Sequence, residues 1–154
     1  MTQPKTILQI AGASPVPHAL AASAVVMIDA QMEYVTGQLP LTGVEAALAE
    51  GARLLAAARD LGRPIIHVQQ NGKPGGLFDP AGASFPIAAQ VAPQGDEPVV
   101  AKSLPNSYAM TNLEDLLKGL DVSSVIFAGF MTHMCVSSTV RGALDRGMPC
   151  TVLA

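Results

Sequence analysis

Clusters of lysine or arginine are absent from the sequence, and the net charge is −3 with a pI near 5.5. A protein that grips phosphate backbones needs a basic patch, so nucleic acid is not expected as a partner. Cysteine is scarce. Cys135 and Cys150 stand alone, with no CxxC pair and no histidine-rich neighbour, which excludes a zinc centre and a disulfide framework. Two unpaired thiols fit a reducing compartment, and a cytoplasmic location is expected. No apolar run is long enough to cross a bilayer, and no charged segment leads into an uninterrupted apolar stretch near the start. Neither a membrane span nor a signal peptide is therefore expected. Glycines at 72, 75, 76, 82 and 95 fall in no GxxxxGK[ST] or GxGxxG pattern, so a phosphate cradle is not indicated. Only 14% of residues are charged while 49% are hydrophobic. That balance excludes disorder and points to one domain with an extensively buried sheet.

What is present reads as alternating strands and helices. Residues 1–21, with Pro4, Pro15 and Pro17, form an irregular arm with a short extended piece at Thr6–Ile10 and a solvated His18. The continuous apolar run Ala24–Ile28 predicts a strand covered on both faces. It ends at Asp29, and a carboxylate there is costly unless paired or placed at a site. Val44, Ala47, Leu48, Gly51, Leu54, Leu55 and Ala58 recur at helical spacing and predict a helix over Thr42–Leu61. A Thr42/Glu45 capping box opens it and Gly62 stops it. Pro64–Gln69 is a second strand, in which His67 is expected to be a hydrogen-bonded structural residue. A strand–helix–strand unit favours a parallel sheet. Residues 71–98 read either as a functional covering loop, which Phe78 and Phe85 would give something to pack with, or as a disordered insert. Val99–Lys102 is extended, and Met110–Leu120 a short helix with Leu113, Leu116 and Leu117 inward. Val122–Gly129 is another strand, followed by a helix with Val136, Val140, Ala143 and Leu144 on one face. Cys150–Ala154 begins a further strand.

Asp29, Lys102 and, one turn later, Cys135 thus end three separate strands, and a parallel sheet brings such ends to one edge. A cysteine between a strand and the first turn of a helix serves equally as a nucleophile or as a small buried side chain. With the other two it makes chemical sense. Asp29 would act as general base, and Lys102 would hold the carboxylate and favour the thiolate. Cys135, its pKa lowered by the helix N-terminus, would attack an electrophilic carbon.

The stretches VVMIDAQ (25–31), VVAKSLPNSYAMTNLEDLL (99–117) and GFMTHMCVSSTVRGALDRG (129–147) together resemble the isochorismatase-like cysteine hydrolases over residues 22–154. The resemblance implies a three-layer α/β/α sandwich on a mostly parallel, Rossmann-like sheet of about six strands. It implies an Asp29–Lys102–Cys135 triad and a non-proline cis peptide at Phe130–Met131. It also implies an oxyanion hole made by the backbone amides of Met131 and Cys135. Members continue beyond the strand that closes this chain, so a last strand and helix are expected to be missing from it. A homo-oligomer is also implied. Members often carry Asp two residues before the cysteine, where this chain has His133. Nicotinamidase relatives carry a metal motif where this chain has Gln70-Asn71-Gly72, so no metal or other cofactor is expected. Members that process isochorismate do not rely on a cysteine, so Cys135 points to a different substrate.

These readings combine into a metal-independent hydrolase of a C–N bond in a small amide, ureido or lactam compound, working through a covalent thioester. Met131, Met134 and Tyr108 suggest a partly apolar pocket, and Gln31, Asn106 and His133 are further candidates for substrate contact. The rival expectation is a non-catalytic binding or assembly protein that keeps the fold. A redox-sensing thiol ranks below both, because Cys150 is expected inside a strand and no resolving cysteine is evident.

Overall fold

A computed structural model of the chain describes residues 4–12 and 16–153. Its centre is β1 (Ser23–Ile28), every residue of which is buried. The other strands are β2 (Ile65–Gln70), β3 (Val99–Lys102), β4 (Ser124–Gly129) and β5 (Cys150–Val152). All pairings are parallel, in the order β3-β2-β1-β4-β5. The described residues thus form a five-stranded, fully parallel sheet where about six strands were expected.

Alternation along the strands divides the core into two layers. Ala24, Val26 and Ile28 of β1 join Ile66, Val68, Val125 and Phe127 on one face, under α3 (Leu113–Lys118) and α4 (Ser137–Asp145). Val25 and Met27 join Ile65, Ile126 and Ala128 on the other face, under α2 (Val44–Asp60). Helices on both faces make the three-layer α/β/α sandwich, and they explain why the strands read as unbroken apolar runs. The chain reverses direction across the sheet between β1 and β4, and open parallel sheets bind ligands at such a switch point.

The helices depart from the sequence reading in instructive ways. Gly43, with φ +76°, holds the N-cap of α2, so Thr42 lies outside the helix and makes no capping box. The C-terminus is a Schellman motif: the Arg63 amide donates to the Ala58 carbonyl at 2.8 Å and Gly62 to Arg59 at 2.9 Å, with Gly62 at φ +60°. Val44, Leu48, Gly51, Leu55 and Ala58 are buried as their spacing predicts, but Ala47 is exposed. It borders an open apolar groove of about 300 Å³ shared with Met27, Phe130 and Leu153, so nothing packs on it. The expected helix at 110–120 is shorter because Met110 adopts φ +59°, outside the right-handed helical region. In α4 the buried side is Thr139, Gly142 and Ala143, and Leu144 is exposed. The loop before α3 rotates that helix inward: Ser107 donates its amide to Thr139 Oγ1 at 3.0 Å, and Asn106 fills the notch left by Gly142.

Thr6–Ile10 is not extended. Thr6 and Gln9 form a reciprocal capping box, and α1 (Ile7–Ile10) follows. Pro15 lies outside the described residues. A 3-10 turn, Leu20–Ala22, then leads into β1, and the exposed His18 gives its amide to Thr151 Oγ1 at 2.9 Å.

The loop 71–98 does cover the core. Phe78 is buried edge-on against Tyr34, with ring centroids 5.3 Å apart. The buried Glu33 carboxylate accepts from Ser84 Oγ at 2.8 Å and from the Gln38 amide at 2.7 Å. Phe85 anchors by its carbonyl, which accepts from Gln31 and Gln69 at 2.9 and 3.0 Å.

His67 is fully buried in β2 with its Nε2 2.9 Å from Glu97, whose carboxylate also receives Arg59 at 2.7 Å and the Gln94 amide at 2.9 Å. Burial opposes ionisation of Glu97, but these donors win and hold its carboxyl down to about 2. Burial likewise pushes His67 below its usual value, against the pull of Glu97.

The unfolded chain therefore takes up protons that the folded one refuses. In urea denaturation, stability is expected to fall as pH drops through about 6.5, the free histidine value, and again from about 4.5 towards 2 as Glu97 is titrated. Glu97→Gln should shrink the second step, leaving the share of Glu33 and other depressed carboxylates, and cost about 1.5–3 kcal/mol at neutral pH. A wild-type midpoint that stays flat from pH 7 to 4 would contradict this account.

Candidate active site

Asp29 follows β1 directly and adopts φ +50°, a conformation that aspartate tolerates better than most residues. Its amide is tied to the Val68 carbonyl at 2.9 Å and its carbonyl to the Gln31 amide at 2.8 Å. Lys102 closes β3, two strands away from β1, and its side chain reaches across the end of β2 with no exposure to solvent. Its Nζ lies 2.7 Å from Asp29 Oδ2, 3.3 Å from Cys135 Sγ and 2.5 Å from Gln70 Oε1. The three strand-end residues therefore meet, and Gln70 joins them.

Cys135 lies past the end of β4, in a π-helical turn, Thr132–Val136, that precedes α4. The i→i+5 bond from the Val136 amide to the Met131 carbonyl, 3.3 Å, marks that turn. Such single π turns concentrate at functional sites. Gly129, at φ +127°, makes the turn out of β4: a Cβ there would stand 2.0 Å from the Ile28 carbonyl oxygen. The Phe130–Met131 peptide is cis. Among the described residues, no hydrogen-bond acceptor meets the Met131 amide.

The electrostatics correct one expectation. Burial and the Asp29 charge push the Cys135 thiol up to about 11, and Lys102 only partly offsets them. The α-helix proper begins at Ser137, two residues after the cysteine. Burial also raises the Asp29 carboxyl, opposed chiefly by the charge of Lys102. The resting cluster thus keeps its proton on sulfur, next to a carboxylate more basic than usual.

The remaining sequence-derived candidates fare differently. Gln31 is fully buried and its side chain is committed: Nε2 donates to the Gln70 and Phe85 carbonyls at 3.1 and 2.9 Å, and Oε1 accepts from the Gln70 amide at 2.9 Å. Asn106 Oδ1 accepts from the Tyr108 amide at 2.9 Å, a local turn bond. Tyr108 is not brought to the triad. Its ring lies 4.6 Å below the Arg146 guanidinium, in a cleft with Glu114 and Lys118. His133 and Met134 are exposed on the π turn beside Cys135.

Two residues were missed from sequence. Gln70 shares its strand register with Lys102, and its position at the end of a strand was the available signal. Tyr34 is buried between Phe78 and Phe130, at 5.3 and 5.7 Å, and its phenol is pushed up by burial and by the charges of Asp29 and Cys135. Nothing in its spacing marks it apart from following Asp29 by a few residues.

Comparison with known proteins identifies the fold. The isochorismatase domain model matches residues 23–154. A crystal structure of an isochorismatase from Pseudomonas putida KT2440 superposes with a TM-score of 0.93 at 42% identity, covering 98% of this chain and 78% of that one. An uncharacterized isochorismatase family protein, YddQ of Bacillus subtilis, is 35% identical over 134 residues, 85% of this chain and 74% of its own. The maleamate amidohydrolase of Pseudomonas putida is 33% identical over 141 residues, and the chain spans 66% of its length. A strand-end site at the β1/β4 switch point and a family match over nearly the whole described sheet lead to one conclusion: the chain belongs to the isochorismatase family.

Proposed function

We propose that this protein is a cysteine hydrolase that cleaves a C–N bond in a small amide, ureido or lactam compound through a covalent thioester, with no metal. The observation that carries the reading is the buried contact of Lys102 Nζ with Asp29 at 2.7 Å and with Cys135 at 3.3 Å. The likeness to an amidohydrolase supports the choice of bond. The two free cysteines support a reducing, cytoplasmic setting.

The chemistry follows from the proton inventory. Asp29 takes the thiol proton as sulfur attacks the carbonyl carbon, and the carbonyl π pair moves onto oxygen. The Met131 and Cys135 amides receive that oxyanion, each donor in such a hole being worth on the order of 10²–10³ in rate. The carbonyl reforms as the C–N bond breaks, and Asp29 returns its proton to the departing nitrogen. A water then gives a proton to Asp29 and attacks the thioester, and collapse expels the sulfur, which regains its proton. A thiol with its proton firmly held reacts only when substrate and base are both aligned.

Cys135→Ala is expected to lower turnover by about 10⁴-fold or more on any amide, ureide or lactam that the wild type hydrolyses, with the fold intact. Acid-quenched wild type should carry the acyl mass on the Cys135 peptide. Turnover that survives Cys135→Ala would refute the reading.

Iodoacetamide labelling offers an independent check without substrate. The rate at Cys135 should keep rising towards pH about 11 and fall below that of a free thiol at pH 8.5. Lys102→Met should slow it further, since the ammonium is what favours the thiolate. An inflection below pH 8.5 would mean that burial does not govern this sulfur.

A further inference from the structure

Lys102 approaches the site from β3, so its long flexible side chain must pass over the end of β2 before it meets Asp29 after β1. Gln70 is the last residue of β2 and the register partner of Lys102. Its Oε1 accepts from the Lys102 ammonium at 2.5 Å, shorter than either of the other contacts of that group. We propose that Gln70 is a positioning residue of the reaction, whose side-chain carbonyl holds the Lys102 ammonium at a point where it serves Asp29 and Cys135 together.

The ammonium donates to an amide carbonyl and to a sulfur, while the Asp29 carboxylate stands 2.7 Å away as its counter-charge. Sulfur is the weakest. Without the amide carbonyl, nothing on the β2 side opposes the pull of the carboxylate, and the ammonium is drawn from sulfur onto Asp29. Gln70 itself is held from several sides. Its backbone N–H and C=O pair with the Gln31 side chain at 2.9 and 3.1 Å, as a neighbouring strand would pair. Its Nε2 donates to the Asn71 carbonyl at 3.3 Å, which leaves Oε1 facing the ammonium. Gln31 in turn bonds the Phe85 carbonyl of the covering loop. The positioning chain therefore runs from the loop through Gln31 and Gln70 to Lys102.

The inference rests on the cysteine-hydrolase reading, but its test needs no substrate. Iodoacetamide labelling of Cys135, resolved by peptide mass at pH 9, is compared in wild type, Gln70→Ala and Gln70→Asn. The same Gln70 changes are placed in an Asp29→Asn/Lys102→Met background, which removes both buried charges together and leaves no unpaired ion. Gln70→Ala and Gln70→Asn, the latter too short to reach Nζ, should each slow labelling about tenfold, one pKa unit of lost thiolate. In the doubly neutral background they should have no further effect, because Gln70 acts through Lys102. On a hydrolysed amide, kcat should fall with KM little changed. Equal slowing in both backgrounds, or wild-type labelling by Gln70→Asn, would overturn the proposal. Survival of turnover in Cys135→Ala would overturn the hydrolase reading instead, and would leave the labelling result to stand or fall separately.

Discussion

The arrangement depends on one buried ion pair. Lys102 and Asp29 have no solvent on either side chain, and each would be untenable alone in that environment. Three parts of the fold converge on that pair. The parallel sheet delivers both residues to one edge, β2 supplies Gln70 to the ammonium, and the π turn before α4 adds the sulfur. Removing either charge leaves the other buried without its counter-charge. A buried pair of this kind is poor evidence for stability, because apolar residues would fill the space at lower cost. Its presence is better explained by chemistry.

The pair also explains the state of the thiol. A cysteine beside a lysine is ordinarily read as an activated one. Here the lysine charge is already spent on Asp29, and the carboxylate charge acts on the sulfur as well, outweighing the ammonium while burial adds to it. The proton stays on sulfur and the base stands beside it. Activation is thereby deferred to the moment at which a substrate carbonyl accepts the electron pair.

Much of this was legible in the residues, for identifiable reasons. Unbroken apolar runs such as Ala24–Ile28 read as strands covered on both faces, and a parallel sheet brings the polar residues that end its strands to one edge, while their meeting depends on the strand order. What was hidden depended on groups distant in sequence. Leu144 fits the helical stripe of α4 but is exposed, because Ser107 and Asn106 seat a loop against the Thr139–Gly142 side. Thr42 and Glu45 have capping-box spacing, yet Gly43 takes the cap with a left-handed backbone that spacing does not reveal. Gln31 and Tyr108 looked available for ligand, but their partners, the Gln70 backbone and Arg146, lie 39 and 38 positions away in sequence and spatially adjacent. Polar side chains near a site reveal their use only when the partners are known.

The position of each residue in the sheet gives the site two different tempos. β1 is paired along both sides and buried on both faces, so the ladder that carries Asp29 can exchange its amide hydrogens only when the whole domain opens. Lys102 rides on β3, an edge strand among the described residues, paired on one side to β2, with Val99 and Ala101 exposed. The exposed residues of β3 are free to fray first, while Lys102 is held by its buried partners. Amide exchange should therefore run from a slow centre at β1 to a faster Val99 end of β3, with the ion pair tying the two tempos together.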